Sequence, residues 1–246
     1  MPVTDPLAPL LDLADVAPAL DEARARVDAA LRHRALRRHG GQVAAEASLR
    51  SAVASAALEG ARYDPDEVRG GTVTDPVLQG ALRVAESLSG LVDVWPRAPR
   101  QVLARLHVLA ARGVVPPADL GRLTSDAERI DALCALVVDN ERTPPLLLAA
   151  IVHAELLTLR PFAGPAGVVA RAAARLTLIG RGLDARGLLA IELGHLSREP
   201  EYLGASGAYA TGTADGVRSW LRHYAAAATI GADEIVAIGD GVLAAA

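Results

Sequence analysis

Apolar residues along this chain recur at intervals of three and four, the spacing of helices that bury one face. In "DEARARVDAALRHRALRRH", Asp21 to His39, residues Val27, Leu31 and Leu36 fall near one face and arginines occupy the rest. That pattern predicts a helical arm, stopped by Gly40 and Gly41. A second helix is expected through "QVAAEASLRSAVASAALEG", with Gly60 as its terminator. The first twenty residues are punctuated by proline and are expected to be half ordered. A loop rich in Pro, Gly and Asp runs from Ala61 to about Asp75. Helical patterns resume in "PVLQGALRVAESLSGLVDVW" and "RQVLARLHVLAARG". The interruption "VVPPADLGRLTSD" has room for a short β-hairpin, a flap over whatever lies beneath it.

Ser125 and Glu128 form an S-x-x-E capping box ahead of "RIDALCALVVDN". Pro144 and Pro145 open "LLLAAIVHAELLTL", and "VVARAAARLTLIGRGLD" follows a short loop. Three further helical stretches complete the chain, around "RGLLAIELGHL", "EPEYLGASGAYA" and "GVRSWLRHYAAAATIGADEIVAIGDGVL". No alternating run supports a strand core. The expected fold is all-α, a helical bundle with an N-terminal helical region over 1–75 and a core over 76–246.

Composition narrows this. Of the 246 residues, 51% are hydrophobic and only 3% aromatic, so the core is built from Ala, Leu and Val, which favour close-packed helices over sheets. There is no lysine, so every fixed side-chain cation is an arginine, a planar fork suited to carboxylates and phosphates. The single cysteine, Cys134, excludes an internal disulfide and reads as a buried structural thiol. The N-terminus lacks a basic leader, and the longest apolar stretch carries His153 and Glu155, so a cytoplasmic protein with no membrane partner is expected. Arg24, Arg26, Arg32, Arg34, Arg37 and Arg38 are expected on one helix as a solvated face, offset by Asp21, Glu22 and Asp28. The acidic balance of the whole chain, -4, argues against nucleic acid.

The segment "LRPFAGPAGVVAR", Leu159 to Arg171, carries the candidate chemistry. Gly164 and Gly167 let backbone N–H groups approach a ligand, and the helix start that follows attracts anions. Arg160 and Arg171 bracket the turn and could clamp a phosphate or carboxylate, and Phe162 is expected to anchor it in the core. Glu192 and His195 form one Glu-x-x-His pair, but di-iron bundles need two, so a salt-bridged surface histidine is expected.

This stretch resembles the signature of the Fic (Fic/Doc) family, H-P-F-x-[DE]-G-N-G-R-x-x-R, with "AAIVHAELLTL" resembling the helix before it. The likeness runs from about Gln101 to Ile235 and implies a Fic-like helical bundle. Family members transfer AMP or another phosphate-bearing group onto protein hydroxyls. Pro161, Phe162, Gly167 and Arg171 match the signature, and the last corresponds to an arginine that grips nucleotide phosphates. The catalytic histidine is replaced by Arg160 and the magnesium-holding acid by Gly164. The remaining signature positions are Pro165, Ala166 and Val168. A guanidinium does not accept a proton at ordinary pH, and magnesium loses a hard oxygen ligand. A histidine in the place of His153 is usual in the family and implies a packing role.

Upstream, "SAALEG" resembles the family's inhibitory helix, [ST]-x-x-x-E-[GN], which implies a pair between Glu59 and Arg171 with Ser55 beside it. The expected function is therefore binding by a catalytically degenerate relative. The ligand is a nucleotide held without magnesium, another anion, or a protein partner. No metal site and no catalytic residue are assigned. The alternative is a transferase that holds a phosphorylated donor with Arg160 and Arg171 and recruits its base elsewhere. A third reading is a structural or oligomerising protein with a filled pocket. A homodimer is expected from the family's habit.

Overall fold

A computed structural model of the chain describes residues 5–124, 127–139 and 142–246. The described residues are helical throughout, with no strand. A 3-10 turn over Ala8–Asp12 precedes α1 (Val16–Ala30), and a second one over Arg34–Arg37 separates it from α2 (Gly40–Ala57). Then come α3 (Pro65–Arg69), α4 (Pro76–Leu91), α5 (Pro99–Ala111) and α6 (Ala127–Asp139). The rest is α7 (Pro145–Leu159), α8 (Ala166–Gly180), α9 (Ile191–Ser197), α10 (Glu199–Tyr209) and α11 (Ala214–Ala244).

Local chemistry explains many of these boundaries. Proline at the first helical position opens α3, α4, α5 and α7, where its missing N–H has no partner to lose. Asp75 caps α4 by accepting from the N–H groups of Val77 and Leu78, each at 2.9 Å. Thr213 does the same for α11 through Gly216 at 3.2 Å.

Several expectations need correction. The arm is not one helix from Asp21 to His39: α1 starts at Val16, inside the stretch expected to be half ordered, and ends at Ala30. Its apolar face packs on α11 through Leu20, Ala23 and Val27, and that burial sets its extent. The basic run is accordingly split between α1 and the 3-10 turn, with Arg26 paired to Asp233 at 2.6 Å. Gly40 and Gly41 open α2 rather than close the arm. The expected hairpin is absent among the described residues. An isolated bridge joins Arg112 to Val115, and Pro116 and Pro117 then remove two ladder donors and turn the chain into a 3-10 turn over Pro117–Asp119. The capping box could not be placed, because Ser125 lies outside the described residues.

Helices α7 and α8 occupy the centre. α7 is apolar around most of its circumference, the mark of a central helix, and Leu146 through Ala154 are buried. α8 is buried from Ala166 to Leu178. One apolar cluster gathers α1, α2, α9, α10 and α11 on one side of this pair. A second gathers α4, α5 and α6 on the other. The two tryptophans lock the halves to the centre: Trp95 Nε1 donates to Thr177 Oγ1 at 3.0 Å, and Trp220 Nε1 to the Ala150 carbonyl at 2.8 Å. No helix among the described residues is long and apolar enough to cross a membrane.

Candidate anion site at the start of the central helix

Arg171 lies on the second turn of α8 and is 1% exposed. A buried guanidinium must have its donors met, and four of its five N–H bonds are engaged. Nε donates to Ser55 Oγ at 2.9 Å, and Nη2 to the Ser55 carbonyl and to Glu59 Oε1, both at 2.8 Å. Nη1 donates to the Tyr202 hydroxyl at 3.1 Å. Burial disfavours the charge, but Tyr202 and Glu59 outweigh it, and the arginine pKa stands above its ordinary value. The structure thus brings together Ser55, Glu59 and Arg171.

The end of α2 explains why Glu59 reaches this point. Gly60 adopts φ +93, the left-handed conformation that needs no Cβ. The N–H of Gly60 returns to Ala57 O at 2.9 Å and that of Ala61 to Ala56 O at 3.0 Å, the paired bonds of a Schellman terminator. Glu59 is held one turn beyond Ser55, on the same side of the helix. Its carboxylate then covers the first turn of α8. A Cβ placed on Gly167 would fall 2.1 Å from Glu59 Oε1, so only glycine leaves room for it. The positive end of α8 and the Arg171 guanidinium face the same carboxylate.

The loop before α8 is held from above. Phe162 is buried and stacks on His107, with centroids 4.7 Å apart. Gly121 N–H donates to His107 Nδ1 at 2.9 Å, so the proton sits on Nε2, which donates to the Ala163 carbonyl at 2.9 Å. Burial lowers the pKa of His107, with the Ala163 bond acting against it. Gly164 has φ +75, and a Cβ there would meet Val115 Cγ1 at 2.8 Å. The turn in place of the expected hairpin therefore lies directly on the glycine loop.

Arg160 takes no part in this group. It caps α7 in the left-handed region, φ 43 and ψ 58, and it is exposed. His153 is 1% exposed, and its Nε2 lies 3.1 Å from the hydroxyl of Tyr202, which accepts from Arg171. Burial, Arg171 and His223 hold the His153 pKa well below the ordinary histidine value. His195 is not a surface histidine: it is fully buried, with Nδ1 3.0 Å from His223 Nε2. Glu192 is also buried and faces Arg175 at 3.7 Å. No cluster of three metal-ligating side chains occurs among the described residues.

Sequence reasoning passed over Tyr202 and His107. The first had only its place on a tyrosine-bearing helix to mark it, and the second no signal beyond being a lone histidine on an apolar face.

No protein-family model and no curated protein matches the chain. Solved structures share its fold. It aligns with a Fic family protein from Desulfovibrio desulfuricans at a TM-score of 0.72 and 22% identity, covering 89% of this chain and 74% of that one. It aligns with a fragment of Fic-1 from C. elegans at 0.69 and 17% identity, covering 94% and 74%. A Glu-to-Gly variant of that fragment aligns at 0.68 and 16%, covering 95% and 74%.

Proposed function

We propose that the chain is a catalytically degenerate Fic-like protein that acts by binding, with an anion cradle at the start of α8 that its own Glu59 keeps closed. The observation that carries this reading is the commitment of Arg171. Its donors go to Ser55, Glu59 and Tyr202, and the Glu59 carboxylate fills the space above Gly167 where an anionic ligand would sit. An internal carboxylate therefore stands in for the ligand. At the position of the family's catalytic base there is a permanently charged guanidinium, Arg160, and the nearby imidazole of His153 is buried and bonded to Tyr202. Neither side chain suits removal of a proton from an incoming hydroxyl. The homodimer belongs to the same reading and is checked by light scattering.

Calorimetry with ATP and ADP, with and without magnesium, tests the proposal on the wild type and on Glu59→Ala. Binding should be weak and independent of magnesium in the wild type. It should tighten at least tenfold in the variant, whose Arg171 has a free donor and open space beside it. Neither protein should attach labelled AMP to itself or to lysate proteins. Transfer of label by either would overturn the reading in favour of a transferase with altered residues. Silence of both toward every nucleotide and toward inorganic phosphate would overturn the cradle and leave a structural protein.

A further inference from the structure

A second polar site lies away from α8. Between α10 and α11 runs a groove of about 490 Å³, within the size range of small-molecule sites. Three guanidiniums line it, Arg198, Arg218 and Arg222, against one carboxylate, Glu201. Arg198 Nε is committed to Glu201 at 2.9 Å. Arg218 donates to the Ala14 carbonyl at 2.7 Å and to Asp15 at 2.8 Å. Arg222 stands 3.8 Å from that same Asp15, beyond hydrogen-bonding distance. The cations thus outnumber their counter-charges, and one of them is held only loosely.

His223 is 5% exposed and belongs to the same lining, with Ser219 beside it. Its Nε2 is taken by His195, and its Nδ1 has no partner. That nitrogen is itself closed to solvent, so the ring forms part of the wall and reports on the groove without reaching into it. The recognition falls to the guanidiniums, whose planar forks suit tetrahedral oxyanions that accept several bonds at once.

We propose that this groove is a binding site for a small dianionic oxyanion of the phosphate or phosphomonoester class. The site is independent of the cradle at α8 and does not rest on the function proposed for it. The test follows the imidazole resonances of the six histidines. Inorganic phosphate and, separately, glycerol 2-phosphate are titrated at constant ionic strength against chloride. Saturable movement of the His223 signal, with His33 and His107 still, is the expected result. Arg222→Gln should weaken binding at least tenfold and leave the fold intact, while Arg24→Gln changes nothing. A response to glycerol 2-phosphate as strong as to phosphate identifies a phosphomonoester, and a response to phosphate alone identifies the free anion. Movement no larger than with chloride, or unchanged affinity in Arg222→Gln, overturns the site. Binding that survives Arg222→Gln and strengthens in Glu59→Ala belongs to α8, and it would refute this proposal while supporting the other.

Discussion

Replacing Glu59 by alanine removes one of the four bonds that hold Arg171 and the only carboxylate among them. Stripping the partner from a fully buried ion pair costs roughly 3–5 kcal/mol, because the remaining charge is stranded. Two features lower that figure here. Glu59 is 18% exposed at its side chain, so water can reach the vacated position. Arg171 also keeps Ser55 and Tyr202 as acceptors. The expected loss is about 2–3 kcal/mol. For a chain of this length each kcal/mol lowers the melting temperature by about 2–4 °C, which gives a fall of about 4–12 °C. Differential scanning calorimetry measures it directly. Glu59→Gln, which keeps an acceptor but loses the charge, should fall in between. The interaction itself is isolated by a cycle with Arg171→Met, where a coupling energy of about 2 kcal/mol is expected between the two sites. A coupling below about 0.5 kcal/mol would show that the pair holds nothing in place. An unchanged melting temperature in Glu59→Ala would refute the same reasoning.

Three other outcomes follow from the packing. A Cβ on Gly194 would lie 2.1 Å from the Ala227 carbonyl, a backbone atom that cannot step aside. Gly194→Ala should therefore lose about 3 kcal/mol or more in urea denaturation, whereas Gly207→Ala, with open space around it, should gain about 0.5–1 kcal/mol. Burial lowers the pKa of His223 to about 4, and it holds those of His153 and His195 well below the ordinary value. These groups are neutral in the fold and gain protons on unfolding below about pH 6.5, so the stability they confer is complete above that pH. It declines as the pH falls from about 6.5 toward 4, with His223 alone costing about 2 kcal/mol by pH 5, and a flat stability profile across that window would refute it. Burial, followed by Asp131, raises the Cys134 thiol pKa to about 11, so iodoacetamide should label it slowly at pH 8 in the native protein and rapidly after unfolding.

The helical fold was legible because its signals are local. Prolines at helix starts, apolar spacing and the strongly apolar run of α7 depend only on neighbours in sequence. The mistakes have physical causes too. Gly40 and Gly41 read as a stop on propensity, but they form the first turn of α2, where the burial of Val43 and Ala47 outweighs the weak helix preference of glycine. His195 read as a surface residue because one helix cannot show what α11 brings to it. At the site, Ser55 and Glu59 could be linked to Arg171 only through a motif resemblance. More than a hundred residues separate them, and no periodicity reports on such a distance. The groove between α10 and α11 had no motif at all, since its arginines become neighbours only when two helices and a connecting turn pack together.

The Arg171 group draws on the ends of three segments, α2, α8 and α10, that meet only in the assembled bundle. An arrangement of the central helix that lacks one of them leaves a buried guanidinium short of an acceptor, and each further loss raises the cost. The knot therefore ties three segments distant in sequence to a single register, and mispacked alternatives that separate them are penalised together.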